Sequence, residues 1–129
     1  MILLDTHALL WWALDPGHLS RAGVDAVRLM EREGGYASSI SIWELGIKVQ
    51  RRKLELPITV DELVRRLEEG GVVDLVAVDT TTWLRSLSLD WDHRDPADRV
   101  IVATALIKQV PVLTKDSALH AFDGIDCVW

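Results

Sequence analysis

Cysteine is nearly absent: Cys127 stands alone among 129 residues. No internal disulfide can form, and such usage fits a reducing compartment. Cys127 reads as a small buried hydrophobe in a last strand. Long hydrophobic runs are missing too. The longest uninterrupted apolar stretch, Ala8 to Leu14, is far too short to span a bilayer. No basic segment precedes the first apolar run, so a secretory signal is not expected. A cytoplasmic protein with no membrane association follows. Positive charge is in deficit, with a net charge of −6 and a pI of about 5.1. That excludes broad, charge-driven binding to nucleic acid. It leaves room for a nucleic-acid enzyme whose acids hold metal ions, because the metals reverse the local sign. There is no Gly-rich phosphate loop. His7, His18, His93 and His120 are scattered, with no HxxxH spacing and no cysteine partner, which argues against zinc. His7 is the one histidine expected beside the candidate site, and it reads as structural. Asp90, Asp92 and Asp95 hint at a calcium loop, but the sixth position lacks glycine and Ile101 takes the place of the twelfth-position Glu.

What is present is a globular composition, 49% hydrophobic and 26% charged. The length suits one domain, residues 1–129, with a real core. No repeat, linker or low-complexity segment divides it. Ile2 to Leu4 reads as a strand buried on both faces, followed by a helix from about His7 to Leu14. Asp15-Pro16-Gly17 breaks that helix, and Ser20 caps the next, which ends at Gly34-Gly35. Tyr36-Ala37 reads as a second strand. Ser38 or Ser39 then caps a helix to about Arg52, and Thr59 caps another over Val60 to Glu69. Val72 to Val78 is a third strand, Thr80 to Leu87 a helix, and Ser88 to Arg94 a polar loop. Asp95-Pro96 opens a long helix to about Lys108, with proline in its favoured first position. Val110 to Leu113 is a fourth strand, a short helix follows to about His120, and Asp126 to Trp129 is a last strand. Strands alternating with helices predict an α/β fold with a parallel sheet wrapped on both sides. Among six tryptophans, Trp11, Trp43 and Trp83 sit at apolar helical positions and are expected in the core or on a dimer face.

Four acids stand out. Asp5 and Asp116 each follow an apolar strand and precede a helix, where an N-cap is the plainest role. Asp95 caps the long helix. Asp98 lies in its first turn, favourable to the dipole, yet on the side shared with Ile101, Val102 and Ala105. Glu44 lies too deep in its helix to cap it, between Ile40 and Ile47, with Lys48 four residues on as its expected ion partner. In a right-handed parallel fold Asp5, Asp98 and Asp116 share one edge of the sheet, the edge where ligands bind. Two carboxylates about 4 Å apart repel by about 4 kcal/mol at an effective dielectric of about 20. Such a cluster needs protons or cations. Oxygen donors without His or Cys suit hard cations, Mg²⁺ or Mn²⁺, which serve phosphodiester hydrolysis. The dense basic run Lys48, Arg51, Arg52, Lys53 reads either as cations favoured at a helix C-terminus or as a contact to an RNA backbone. Arg99 reads as a phosphate contact or the partner of an acid.

LLDTHALLWW, SSISIWELGIK, HRDPADRVIVATA and VLTKD, in that order, resemble the PIN-domain ribonucleases, and most closely the VapC toxins of bacterial toxin–antitoxin pairs. The resemblance spans nearly the whole chain. It implies a three-layer fold with five parallel strands in the order 3-2-1-4-5. It implies that Asp5, Glu44, Asp98 and Asp116 form an acidic quartet for Mg²⁺ or Mn²⁺, with Asp5 and Asp98 the principal ligands. Thr6 and Thr114 match hydroxyl positions near that quartet, and Asp95 a cap or supporting acid. It further implies an endoribonuclease using metal-activated water, a homodimer, and inhibition by an antitoxin protein. The rivals are a nuclease acting on DNA and a catalytically silent, metal-binding protein-interaction domain. A phosphatase with a nucleophilic Asp would want a second Asp where His7 stands.

Overall fold

The computed structural model describes every residue from Met1 to Trp129. At its centre lies β1 (Leu3–Leu4), with β2 (Gly35–Ser38) and β3 (Val73–Val76) on one side and β4 (Val112–Leu113) and β5 (Cys127–Val128) on the other. All pairings are parallel, giving the order β3-β2-β1-β4-β5, as the resemblance implied. Leu3 pairs with Tyr36 and Val112, and Leu4 with Ala37 and Leu113.

Successive strand residues face opposite ways, and this divides the core in two. Leu3 and Val112 pack with Ile101, Val102, Ala105 and Leu119. Leu4 and Leu113 face the other way, into a larger cluster with Leu9, Val27, Met30, Leu45, Leu63 and Leu67. Helices α1 (Thr6–Leu14), α2 (Arg21–Glu33), α3 (Ser39–Gln50) and α4 (Val60–Gly70) supply the larger layer. The other holds α6 (Pro96–Lys108) and α7 (Ser117–His120), with α5 (Thr80–Leu87) packed on α6. Each fully buried Leu contributes about 2 kcal/mol, which is why a two-residue central strand suffices.

Every α-helix starts on a side-chain cap: Asp5, Ser20, Ser38, Thr59, Asp79, Asp95 and Asp116 each accept a hydrogen bond from the first turn. Boundaries move where backbone geometry intervenes. Gly34, at φ +89°, alone ends α2. Gly35 opens β2 instead, where a Cβ would stand 2.6 Å from the Met30 side chain. Helix α3 stops at Gln50 because Arg52 turns left-handed, and β4 starts only at Val112 because Gln109 does the same after α6. Trp43 and Trp83 are 58% and 43% exposed, so neither packs in the core. No helix is long and apolar enough to cross a membrane.

Candidate active site

Asp5 leaves β1 at its carboxyl end. Its backbone N–H still donates to the Leu113 carbonyl, so the residue stays locked to the sheet. One carboxylate oxygen accepts from the Ala8 N–H at 2.8 Å, and the other accepts from the Thr114 hydroxyl. The cap role and the sheet-edge role are therefore met by one side chain. Asp5 is only 6% exposed and has no cationic partner in hydrogen-bond or ion-pair contact. Burial pushes its carboxyl pKa up, and the Asp116 charge adds to this, against the lowering by Thr114, Ala8 and His7.

Thr114, fully buried at the end of β4, joins two acids. Its hydroxyl donates to Asp5 and accepts from the Asp116 N–H at 3.0 Å. Asp116 caps α7 through the Ala118 N–H at 2.8 Å and is exposed. The Thr114 carbonyl in turn lies 2.8 Å from His120 Nε2. Asp5, His7, Trp11, Lys115 and Asp116 line one open pocket of about 290 Å³.

Asp98 sits in the first turn of α6, its N–H donating to the Asp95 cap at 3.1 Å. Burial lifts its pKa to about 6; the His93 hydrogen bond opposes this, and the charges of Asp95 and Asp116 reinforce it. Asp116 thus acts on both Asp5 and Asp98, so the three carboxylates share one field. Asp5 and Asp116 meet at the sheet edge through Thr114 and share one pocket, whereas Asp98 makes no direct contact with either. Thr6 donates to the buried Ser41 hydroxyl at 2.9 Å, tying α1 to α3.

The family model described as PIN domain matches residues 2–125. The chain belongs to the PIN-domain family. Ribonuclease VapC22 of Mycobacterium tuberculosis is 30% identical over 121 residues, 93% of this chain and 90% of that protein. FitAcB from Neisseria gonorrhoeae shares the fold at a TM-score of 0.67 and 23% identity, covering 98% of this chain and 96% of that one. VapBC2 from Rickettsia felis, bound to a DNA fragment from its promoter, does so at a TM-score of 0.68 and 13% identity, covering 98% and 97%.

Within this PIN fold the donor set suits a hard cation. It consists of carboxylate oxygens, and the buried Asp5 carboxylate is held by hydroxyl and amide donors alone. No three His, Cys, Asp or Glu side chains already converge at metal-ligand spacing.

Glu44 stands outside this network. It is half-buried on α3, and neither a hydrogen bond nor an ion pair engages it, so the expected pairing with Lys48 is not made. Arg51, Arg52 and Lys53 are exposed and Lys48 half-buried, all without acidic partners. Arg99 corrects its expectation outright. Its guanidinium donates to the carbonyls of Ser86, Leu89, Trp91 and His93 at 2.7–3.2 Å. It therefore neither pairs with an acid nor is free for phosphate; it pins the loop before α6.

That loop carries the main residue missed from sequence. His93 Nε2 lies 2.6 Å from Asp98 Oδ2, so His7 is not the only histidine at the site. His7, expected to be structural, is exposed, lines the acidic pocket and lies against Trp11. His93 lies five residues before Asp98, across a proline-initiated helix start, and no local rule brings two such side chains together. Ser41 and Lys115 were missed as well, although Lys115 adjoins Asp116 and was within reach of sequence.

Proposed function

We propose that this PIN-domain protein is an Mg²⁺- or Mn²⁺-dependent endoribonuclease and the toxin of a toxin–antitoxin pair, acting in the cytoplasm as a single-domain subunit. The observation that carries the reading is the buried Asp5 carboxylate, joined to Asp116 through Thr114 and sharing a field with Asp98. Its similarity to a VapC ribonuclease supports the reaction class.

Asp5 and Asp98 would hold the cation, with Asp116 completing the charge and Glu44 approaching from α3. The bound ion supplies Lewis acidity, acidifying water and stabilising charge on the phosphate at neutral pH. The chain does the rest. Thr114 fixes the rotamers of Asp5 and orients Asp116. Asp95 sets the first turn of α6 and so the position of Asp98. Thr6 ties the start of α1, which Asp5 caps, to α3, which carries Glu44, through Ser41. Lys48, Arg51 and Arg52 are unpaired cations for an RNA backbone, a role from which Arg99 is withdrawn.

Two partners belong to the proposal. A homodimer would cover the apolar surface of α5, where Leu84 and Leu87 are 62% and 77% exposed beside Trp83. An antitoxin is suggested by the structural neighbours, which include a toxin–antitoxin complex from Klebsiella pneumoniae at 15% identity and a TM-score of 0.64, covering 97% of this chain and 95% of that one.

The test is cleavage of total RNA, and of single-stranded DNA, by purified antitoxin-free protein with Mg²⁺ or Mn²⁺. Asp98→Asn and a chelated sample run beside it. Discrete RNA fragments from the wild type with free metal alone support the reading. Equal cleavage by the variant overturns the site, and cutting of DNA alone overturns the substrate. Metal binding without cleavage of either returns the silent-domain reading.

A further inference from the structure

The acidic pocket has a second kind of wall. Of its five lining residues, two are acids, one is a lysine, and two are the aromatic rings of His7 and Trp11. Both rings rise from α1, one helical turn apart, directly after Asp5. Their centroids lie 5.5 Å apart. Trp11 has two further aromatic neighbours: His18 stacks on it at 5.5 Å and 23°, and Trp129 lies tilted against it at 5.5 Å. A ring fixed on several sides loses little freedom when a ligand settles on it.

Neither ring is needed in the core. His7 is exposed and makes no hydrogen bond through its side chain, and Trp11 is only half-buried. Lys115, which lines the same pocket beside Asp116, is exposed and forms no ion pair. A cation and an aromatic ledge flanking clustered carboxylates match three parts of one nucleotide strand. Phosphate meets Lys115, the scissile bond meets the acids, and a base meets the ledge. A base can reach such a ledge only if it is out of the duplex stack.

We propose that Trp11 and His7 form a stacking subsite for one unpaired nucleobase next to the cleaved phosphate. The inference rests on the ribonuclease reading and adds to it a base position and the two side chains that hold it.

The test uses the full chain carrying Asp98→Asn, so that bound RNA stays intact. The probe is a fluorescein-labelled single-stranded RNA spanning a cleavage site mapped with the wild type, read by fluorescence anisotropy. Trp11→Ala should weaken binding roughly 5- to 100-fold, the range for loss of one base–aromatic stack. Trp11→Phe should stay within about threefold, since a stacking face remains. A walk of single abasic nucleotides along the RNA should find one position that costs the Trp11 protein a similar factor and costs the Trp11→Ala protein nothing further. Such non-additivity marks direct contact. Circular dichroism and Tm verify that both variants fold. The same RNA annealed to its complement should bind more weakly.

Equal binding by Trp11→Ala, additive losses at every abasic position, or duplex RNA bound as tightly as single strands overturns the subsite while leaving the ribonuclease reading intact. So does a Trp11→Ala protein that keeps its RNA affinity and loses affinity for the antitoxin, which would assign the ledge to a protein partner. If the wild type cuts no RNA and the Asp98→Asn protein binds none, the ribonuclease reading falls and the subsite with it.

Discussion

Replacing Asp98 by Asn should stabilise the metal-free protein while removing its activity. Asp98 is held where its ionised form is costly: the side chain is 18% exposed and its pKa is raised from 3.8 to about 6. A carboxyl whose pKa is raised by folding favours the protonated form in the native state. The unfolded chain then binds fewer protons than the native one, and stability falls as pH rises from 3.8 through about 6. At about 1.4 kcal/mol per pKa unit the full cost at pH 7 is about 3 kcal/mol. It shrinks to about 1 kcal/mol near pH 4.5 and vanishes below the unfolded pKa. Asn carries no charge and its amide oxygen can still accept from His93, but that bond loses its charge assistance. The net gain at pH 7 is then about 1–2 kcal/mol, or roughly 4–8 °C in Tm for a chain of this size. The assay is thermal unfolding in chelator at pH 4 and pH 7, wild type beside variant. Saturating Mn²⁺ should reverse the order at pH 7: at about a hundred times Kd a ligand stabilises by about 2.7 kcal/mol, and only the wild type would gain it. A variant no more stable than wild type at pH 7, or a gap that does not narrow on acidification, refutes the argument from desolvation.

Thr114→Val removes the hydroxyl that joins Asp5 to Asp116; RNA cleavage should fall about 10- to 100-fold and stability by about 1–3 kcal/mol, with Thr114→Ser retaining most of both. Arg99→Lys should destabilise nearly as much as Arg99→Ala, roughly 2–4 kcal/mol in urea denaturation, because a single ammonium cannot replace a planar fork on four carbonyls. His93→Ala should weaken Mn²⁺ binding about tenfold or more in calorimetry, as expected when a residue that orients a ligand is lost, and His93→Gln should restore part of it. Tighter binding in the alanine variant would show that His93 competes with the metal instead.

Much of this molecule was written in short-range signals. The caps at Ser20, Thr59, Asp95 and Asp116 sit where small polar residues meet apolar helical runs, and the alternation of strand and helix is enough to predict a parallel sheet. Capping involves residues two or three positions apart, so one sequence window contains the whole interaction. Placing Asp5 and Asp116 at one edge needed only the handedness rule for parallel strands. The resemblance carried the strand order, because nothing in a two-residue strand says which neighbour it will choose.

Other features belong to contacts between distant parts of the chain. Trp43 and Trp83 sit at apolar helical positions expected in the core or on a dimer face, yet both are exposed on the single chain, since a hydrophobic position does not say which surface covers it. Arg99 looks like a phosphate contact or a partner for an acid until the end of α5 at Ser86 and the loop through His93 offer it four carbonyls. His93 meets Asp98 only because that loop is pinned. The sequence by itself determined the elements, their caps, and the acids at one sheet edge, because local stereochemistry and alternation act within a few residues. The tertiary structure alone decided that Thr114 links Asp5 to Asp116 across 109 residues of chain, which acids are desolvated, and that an aromatic ledge stands beside them. Burial and electrostatic fields depend on distance through space, and sequence separation does not record it.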